Sequence, residues 1–289
     1  MIITNKMNLP QSLVNAVTTE KHNKEGCISA TTLLKGVKEI LLTNRHWDEL
    51  SVDVSDLIWS LHGTAVHKIL EDSNPEMFTE EEFSKELLTD NGSVNITGKV
   101  DLYDMEEKTI TDYKNTSVWK VLFNNFDDWK RQGEIYAWLM KECGLEVKKC
   151  RFLAMLRDWS IGEAERKADY PQSQMYVFEF DVGEKELEEG RQFACEKANA
   201  VLQASKLSDD DIPPCTSEER WERKSTWAVK KEGRKTAVKV CDTQEEAEAY
   251  VKGVDKGFVE ERKGECGKCK RYCLCKEFCN FYRDNVKEK

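Results

Sequence analysis

No stretch of the chain approaches the ~18 to 20 uninterrupted apolar residues that a helix needs to cross a bilayer, so nothing in it reads as a membrane span. Residues 1–11 lack the basic-then-apolar layout of an export signal. The expected location is therefore the cytoplasm, or a host cytoplasm if the gene is viral. Internal repeats and low-complexity tracts are missing too, which excludes a solenoid or a biased linker. Positive charge is also short: 44 Lys+Arg against 54 Asp+Glu give a formal charge of −10. Such a surface cannot coat DNA non-specifically. Any phosphate contact must pass through metal ions or a few local basic groups. The deficit is uneven, because residues 221–289 carry 18 Lys+Arg against 13 Asp+Glu, net +5, and leave −15 for residues 1–220.

What is present suffices for one large core or two modest ones, with 39% hydrophobic and 34% charged residues among 289. Residues 1–28 are polar and read as a flexible segment. Ser29 or Thr31 can cap a helix whose stripe is Leu33, Leu34, Val37, Ile40 and Leu41. A second helix is predicted over Ser55 to Asp72, with Leu57, Ile58, Leu61, Val66, Ile69 and Leu70 inward. It carries Gly63, which hints at a close backbone approach, and His67. Strands are predicted over Phe83 to Leu88, Val94 to Tyr103, Thr109 to Tyr113, Cys150 to Leu156 and Met175 to Asp181. Helices are predicted over Phe126 to Cys143 and Glu184 to Leu207, with connectors at Asn115 to Asn125 and Gly162 to Pro171. Acids and two prolines at Asp209 to Pro214 mark a boundary. Beyond it, a hairpin turns at Glu232-Gly233-Arg234, and a short helix opens at Thr243 with capping-box chemistry.

The strands from Val94 to Tyr113 carry the chemistry. Asp101 ends one strand of a hairpin and Asp112-x-Lys114 ends its neighbour. Two carboxylates and an ammonium converging there must pair or coordinate a metal; the alternative is a solvated hairpin rim. On the following helix, Gln132 and Tyr136 stand one turn apart. Eleven cysteines without an export signal point to ligation rather than disulfides, and five of them, Cys266, Cys269, Cys273, Cys275 and Cys279, fall within fourteen residues.

Taken in order, Gly63 to His67, Gly98 to Asp101, Asp112 to Lys114 and Gln132 to Tyr136 match G-x-x-x-H, G-x-x-D, (D/E)-x-K and Q-x-x-x-Y. The chain thereby resembles the PD-(D/E)XK nuclease superfamily over roughly residues 29–205. The likeness is to its RecB-like branch, with the AddB nuclease domain, the CRISPR-adaptation exonucleases and phage recombination nucleases. The resemblance implies an α/β, restriction-endonuclease-like core at 29–208, a central mixed β-sheet flanked by helices. A small C-terminal cysteine-rich metal-binding module would follow at 209–289. It implies a metal-dependent DNA exonuclease of recombination or repair, phage or bacterial, with DNA and a recombination protein as partners. His67, Asp101, Asp112 and the Tyr113 carbonyl would hold Mg²⁺ or Mn²⁺. Lys114 would orient the attacking water, Gln132 and Tyr136 would line the site, and Glu86 would act or buttress from the preceding strand.

Members of this branch also staple the C-terminal region with a 4Fe–4S cluster held by one distant and three nearby cysteines. Here Cys269, Cys273 and Cys279 match the three. Cys215 is the favoured fourth because it would close a large loop; Cys27, Cys266 and Cys275 stand as alternates. All-thiolate ligation also suits a structural Zn²⁺. A structure-dependent endonuclease and a catalytically idle DNA- or partner-binding protein remain the alternative functions.

Overall fold

The computed structural model describes residues 1–17, 26–73 and 78–287, with backbone alone at 78–80. The chain divides into two compact units, Met1–Leu207 and Ser208–Lys289. Residues 18–25 of the segment expected to be flexible lie outside the described residues. The described part of that segment holds secondary structure. Strand β1 (Ile2–Thr4) pairs in parallel with a later strand, and helix α1 (Gln11–Val17) follows it. The reason is a carboxylate: Asp53 accepts from the Lys6 amide at 2.9 Å and the Thr4 hydroxyl at 2.8 Å, tying the N-terminus down.

Strand β2 (Cys27–Ser29) leads into α2 (Ala30–Leu33), capped by the Ser29 hydroxyl, which accepts from Thr32 N at 3.2 Å. The single helix expected here breaks at Lys35-Gly36 and restarts as α3 (Val37–Arg45). Then come β3 (Ser51–Asp53), the partner of β1, and α4 (Ile58–Asp72). None of the fifteen residues of α4 is buried, and Ile69, expected inward, is 65% exposed. Among the described residues, nothing beyond its own helix backbone lies within 4 Å of where a Cβ on Gly63 would stand, so no close approach is made there by them.

A long hairpin follows, β4 (Phe78–Thr89) and β5 (Gly92–Asp104), then β6 (Thr109–Thr116). The segment read as a connector contains a short helix, α5 (Val118–Leu122), before the main helix α6 (Asp127–Glu142). The remaining elements of this unit are β7 (Lys149–Leu156), α7 (Ile161–Arg166), β8 (Met175–Asp181) and α8 (Glu184–Ala204). The central sheet is mixed and six-stranded: β2, β5, β6, β7 and β8 in that order, with β4 on the other edge of β5. β2 is parallel to β5 and β6 to β7; the other pairs are antiparallel.

Helix α6 covers this sheet because its apolar face is nearly continuous. Ile135, Ala137, Leu139 and Met140 are fully buried, each large side chain contributing about 1.5–3 kcal/mol. Phe126 and Trp129 stack on Phe178 and Phe152, with centroids 4.7 and 5.7 Å apart. Helix α8 packs on α6 backbone to backbone: a Cβ on Gly190 would lie 2.3 Å from the Glu134 carbonyl oxygen. Only glycine permits that approach.

In the second unit, β9 (Glu222–Arg223) precedes the expected hairpin, β10 (Thr226–Lys231) and β11 (Lys239–Cys241), then α9 (Gln244–Val251). Sequence reading missed β12 (Gly257–Arg262), which makes β10 the central strand of three. Val229, Cys241 and Ala247 form its core, with Trp227, Val251, Val254 and Val259 packed around them. β13 (Glu265–Cys266) pairs with β9 and runs into α10 (Gly267–Arg271), and α11 (Asn280–Asn285) closes the described chain. Among the described residues no helix is long and apolar enough to cross a membrane.

Candidate active site

The site forms where two strands part. β5 pairs with β6 only from Leu102 to Asp104, whereas its earlier residues pair with β2 on the same side. The burial rhythm of β5 also changes there. Val94, Ile96, Gly98 and Val100 are buried, and the next buried residue is Tyr103, so the alternation shifts parity at Asp101 and Leu102. Strict alternation would put Leu102 with Val100 on the buried face; the turn of the strand moves Tyr103 inside instead. At the fork the Asp101 side chain replaces the lost ladder bond, its Oδ2 accepting from Tyr113 N at 2.7 Å.

His67 reaches this fork from α4. Its Nδ1 lies 3.1 Å from Asp101 Oδ1 and its Nε2 lies 3.0 Å from the Tyr113 carbonyl oxygen. Both partners are acceptors, so holding both contacts takes two ring N–H groups, an imidazolium. A cation bound to the same carboxylate and carbonyl would take the place of those protons. Asp112 is buried beside them, 3% exposed. Its Oδ1 accepts from Gln132 Nε2 at 3.0 Å. Its Oδ2 lies 2.6 Å from the Lys114 ammonium but receives no directed hydrogen bond. Burial pushes the Asp112 carboxyl up to about 6; Lys114 opposes the rise and Asp101 adds to it.

Gln132 is a saturated connector. Its Oε1 accepts from Lys114 Nζ at 2.8 Å, and its Nε2 also donates to the Tyr136 hydroxyl at 2.8 Å. Tyr136 in turn explains Gly98, where a Cβ would lie 2.9 Å from the tyrosine ring and 2.8 Å from Leu139. The glycine immediately before Lys99-Val100-Asp101 lets α6 come down onto the strand. A cavity of about 500 Å³ opens over these groups, lined by His67, Asp101, Asp112, Lys114, Gln132 and Tyr136, within the range of small-ligand sites.

Glu86 does not join them. It lies opposite Asn95 on β5, six residues from Asp101, about 20 Å along a strand, and does not line the cavity. The acid of β4 that does is Glu82, opposite Lys99. Sequence reading missed both, since only the strand register separates Glu82 from Glu86. Among the described residues, no group of three or more His, Cys, Asp or Glu side chains forms a metal shell as it stands. The donors beside the cavity are hydrogen-bonded to one another.

In the second unit, Cys269 has the side chains of Cys273, Cys266, Cys215 and Cys279 as neighbours. Burial, then these thiols, push it up to about 12. Cys273 Sγ lies 3.6 Å from Cys275 Sγ, and Cys275 is buried. Arg220 hydrogen-bonds Cys266. Cys27 is elsewhere in the fold, in the lining of the carboxylate cavity.

Comparison with known proteins brings one family match, to a domain described as an uncharacterized protein conserved in bacteria, DUF2188, over residues 219–265. That span holds the three-stranded sheet and α9 and lies between Cys215 and Cys266. No curated protein matches the chain. Among solved structures, the chain is similar to that of SSO0001, with 18% identity and a TM-score of 0.46 over 68% of this chain and 84% of the other. A phage-related exonuclease from Haemophilus somnus 129PT shares 13% identity, with a TM-score of 0.29 over 58% and 74%. An alkaline exonuclease from Laribacter hongkongensis shares 12%, with a TM-score of 0.30 over 69% and 100%.

Proposed function

We propose that the first unit is a divalent-metal-dependent DNA exonuclease acting in recombination or repair in the cytoplasm. The observation that carries this reading is the meeting of Asp101, Asp112, Lys114 and His67 in one cavity, where Gln132 ties Asp112 to Lys114 and Asp101 bonds His67. Two carboxylates, an imidazole and the Tyr113 carbonyl are a donor set suited to Mg²⁺ or Mn²⁺. The buried Asp112 Oδ2, without a directed hydrogen bond, fits a cation better than it fits the metal-free fold. When bound, such an ion polarises a phosphate and lowers the pKa of its water.

The rest of the work falls to the chain. Lys114 has three N–H donors; Gln132 engages one and Asp112 pairs with the charge, so the ammonium keeps donor capacity for an oxygen of the substrate. The Phe152 ring lies 5.5 Å below its ammonium and holds the stem. Gln132 acts through its neighbours as a positioning residue, its amide fixed by Asp112, Lys114 and Tyr136.

For the second unit the proposal is a 4Fe–4S cluster, or a structural zinc, on Cys215, Cys269, Cys273 and Cys279, with Cys266 as the nearest alternate. The crowding of thiols about Cys269 supports it, because gathered thiolates require a cation to compensate them.

Digesting linear and closed circular plasmid with Mg²⁺ or Mn²⁺ tests the activity. An exonuclease degrades only the linear form, and an endonuclease also opens the circle. If neither is cut, the fold binds DNA or a partner without catalysis.

A further inference from the structure

Two exposed aromatic stations stand beyond the C-terminal ends of the parallel strands β6 and β7. Trp119 and Phe123 are 56% and 70% exposed, with rings stacked 5.5 Å apart at 27°. Trp59, 55% exposed, lies under the Arg157 guanidinium at 4.9 Å. Both stations rise from the same ends of β6 and β7. Trp119 is the fifth residue after Lys114, so the ring's backbone lies within ~18 Å of the site lysine. Arg157 is followed by Asp158, whose carboxylate accepts from Ser117 Oγ at 2.5 Å and Val118 N at 2.7 Å, fixing α5 in place. Asn115 contacts His62, one turn from Trp59, and binds α4 to the same end of β6.

A fold that buries Phe126, Trp129 and Phe152 in its core leaves a contiguous aromatic pair in water here, at a cost in apolar exposure. Double-helical bases are already stacked and offer no faces; unpaired bases do, and they stack on exposed aromatic rings and on guanidinium planes. With a net charge of −10, phosphate attraction alone is a weak source of affinity.

We propose that Trp119 and Phe123, together with Trp59 and Arg157, form a base-stacking platform that receives single-stranded DNA and feeds its backbone to the cavity. The platform sets a preference for single-stranded ends. For the direction of feeding, it rests on the nuclease reading above.

The test uses the full chain in EDTA, at fixed salt, titrated with a fluorescein-labelled oligo-dT and with a blunt hairpin duplex. A matching Mn²⁺ assay measures KM and kcat on single-stranded oligonucleotide. The platform predicts tighter binding of oligo-dT than of duplex. Trp119→Ala should lose roughly ten-fold or more of that affinity. KM should rise likewise with kcat kept, and Trp119→Phe should restore most of both. Affinity and KM unchanged in Trp119→Ala and Phe123→Ala, with cleavage intact, would overturn the platform and leave the nuclease standing. Trp119-dependent binding without cleavage by the wild type would support the platform and remove the nuclease. A wild type that sediments as a dimer, with Trp119→Ala a monomer that binds oligo-dT equally well, would assign the patch to a second copy instead and overturn the proposal.

Discussion

At the scale of single residues, the site is a chain of exchanged hydrogen bonds in which each group holds the next. Asp112 is the most constrained member. Burial lifts its carboxyl from the ordinary 3.8 to about 6, so the metal-free fold gains stability from protonation there and loses that gain as pH rises through about 6. A metal must displace the same proton. Mn²⁺ affinity, measured by calorimetry, should therefore be flat above pH 7 and fall below about 6, by up to ~ten-fold per pH unit. A constant affinity down to pH 5 would mean that Asp112 is not a ligand. The residue types at this site were legible in the sequence because their order and spacing are tight: His67, Asp101, Asp112-x-Lys114 and Gln132-x-x-x-Tyr136 all border the cavity. Glu82, and not the expected Glu86, borders the cavity, because the register of a twelve-residue strand is set by its partner, not by its own pattern.

At the scale of elements, the site depends on how closely α6 approaches β5. Gly98→Ala would drive a methyl into Tyr136 and Leu139, and thermal unfolding should show a loss of about 1–3 kcal/mol. Cleavage should fall more than stability does, because Tyr136 anchors Gln132. The N-terminal elements depend on another carboxylate. The Lys6 amide, then the Ser55 hydroxyl and amide, hold the Asp53 carboxyl well below the ordinary range. A depressed pKa contributes stability above the unfolded value that is lost as pH falls through the acid range. Melting curves between pH 6 and 3 should thus show a steeper acid loss for wild type than for Asp53→Asn; parallel curves would contradict the role. Helices α6 and α8 were readable from apolar period alone. Short α5 and α7 were not, because helices of five and six residues bury too little to leave a stripe. β12 was hidden by its charge, with four of its last five positions holding Val259, Glu260, Glu261 and Arg262, of which only the valine packs inward.

At the scale of the whole molecule, the charge asymmetry and the cysteine spacing foreshadow two units with different chemistry, and the chain divides between Leu207 and Ser208. What the spacing could not reveal is that distant Cys215 joins the thiols around Cys269, since folding of the intervening sheet, and not sequence distance, sets that neighbourhood. Protein purified without oxygen should be brown with a shoulder near ~400 nm and contain iron, and Cys269→Ser should lose both colour and metal. Zinc in a colourless sample would assign the structural alternative. The central claim, that buried Asp112 and its ammonium partner cleave phosphodiester bonds, is tested most directly by single-turnover digestion of end-labelled linear DNA in Mn²⁺. The comparison is of wild type with Asp112→Asn and Lys114→Met, at matched circular dichroism. The account predicts a rate loss of about 10² or more in both variants; variants as fast as wild type would contradict it.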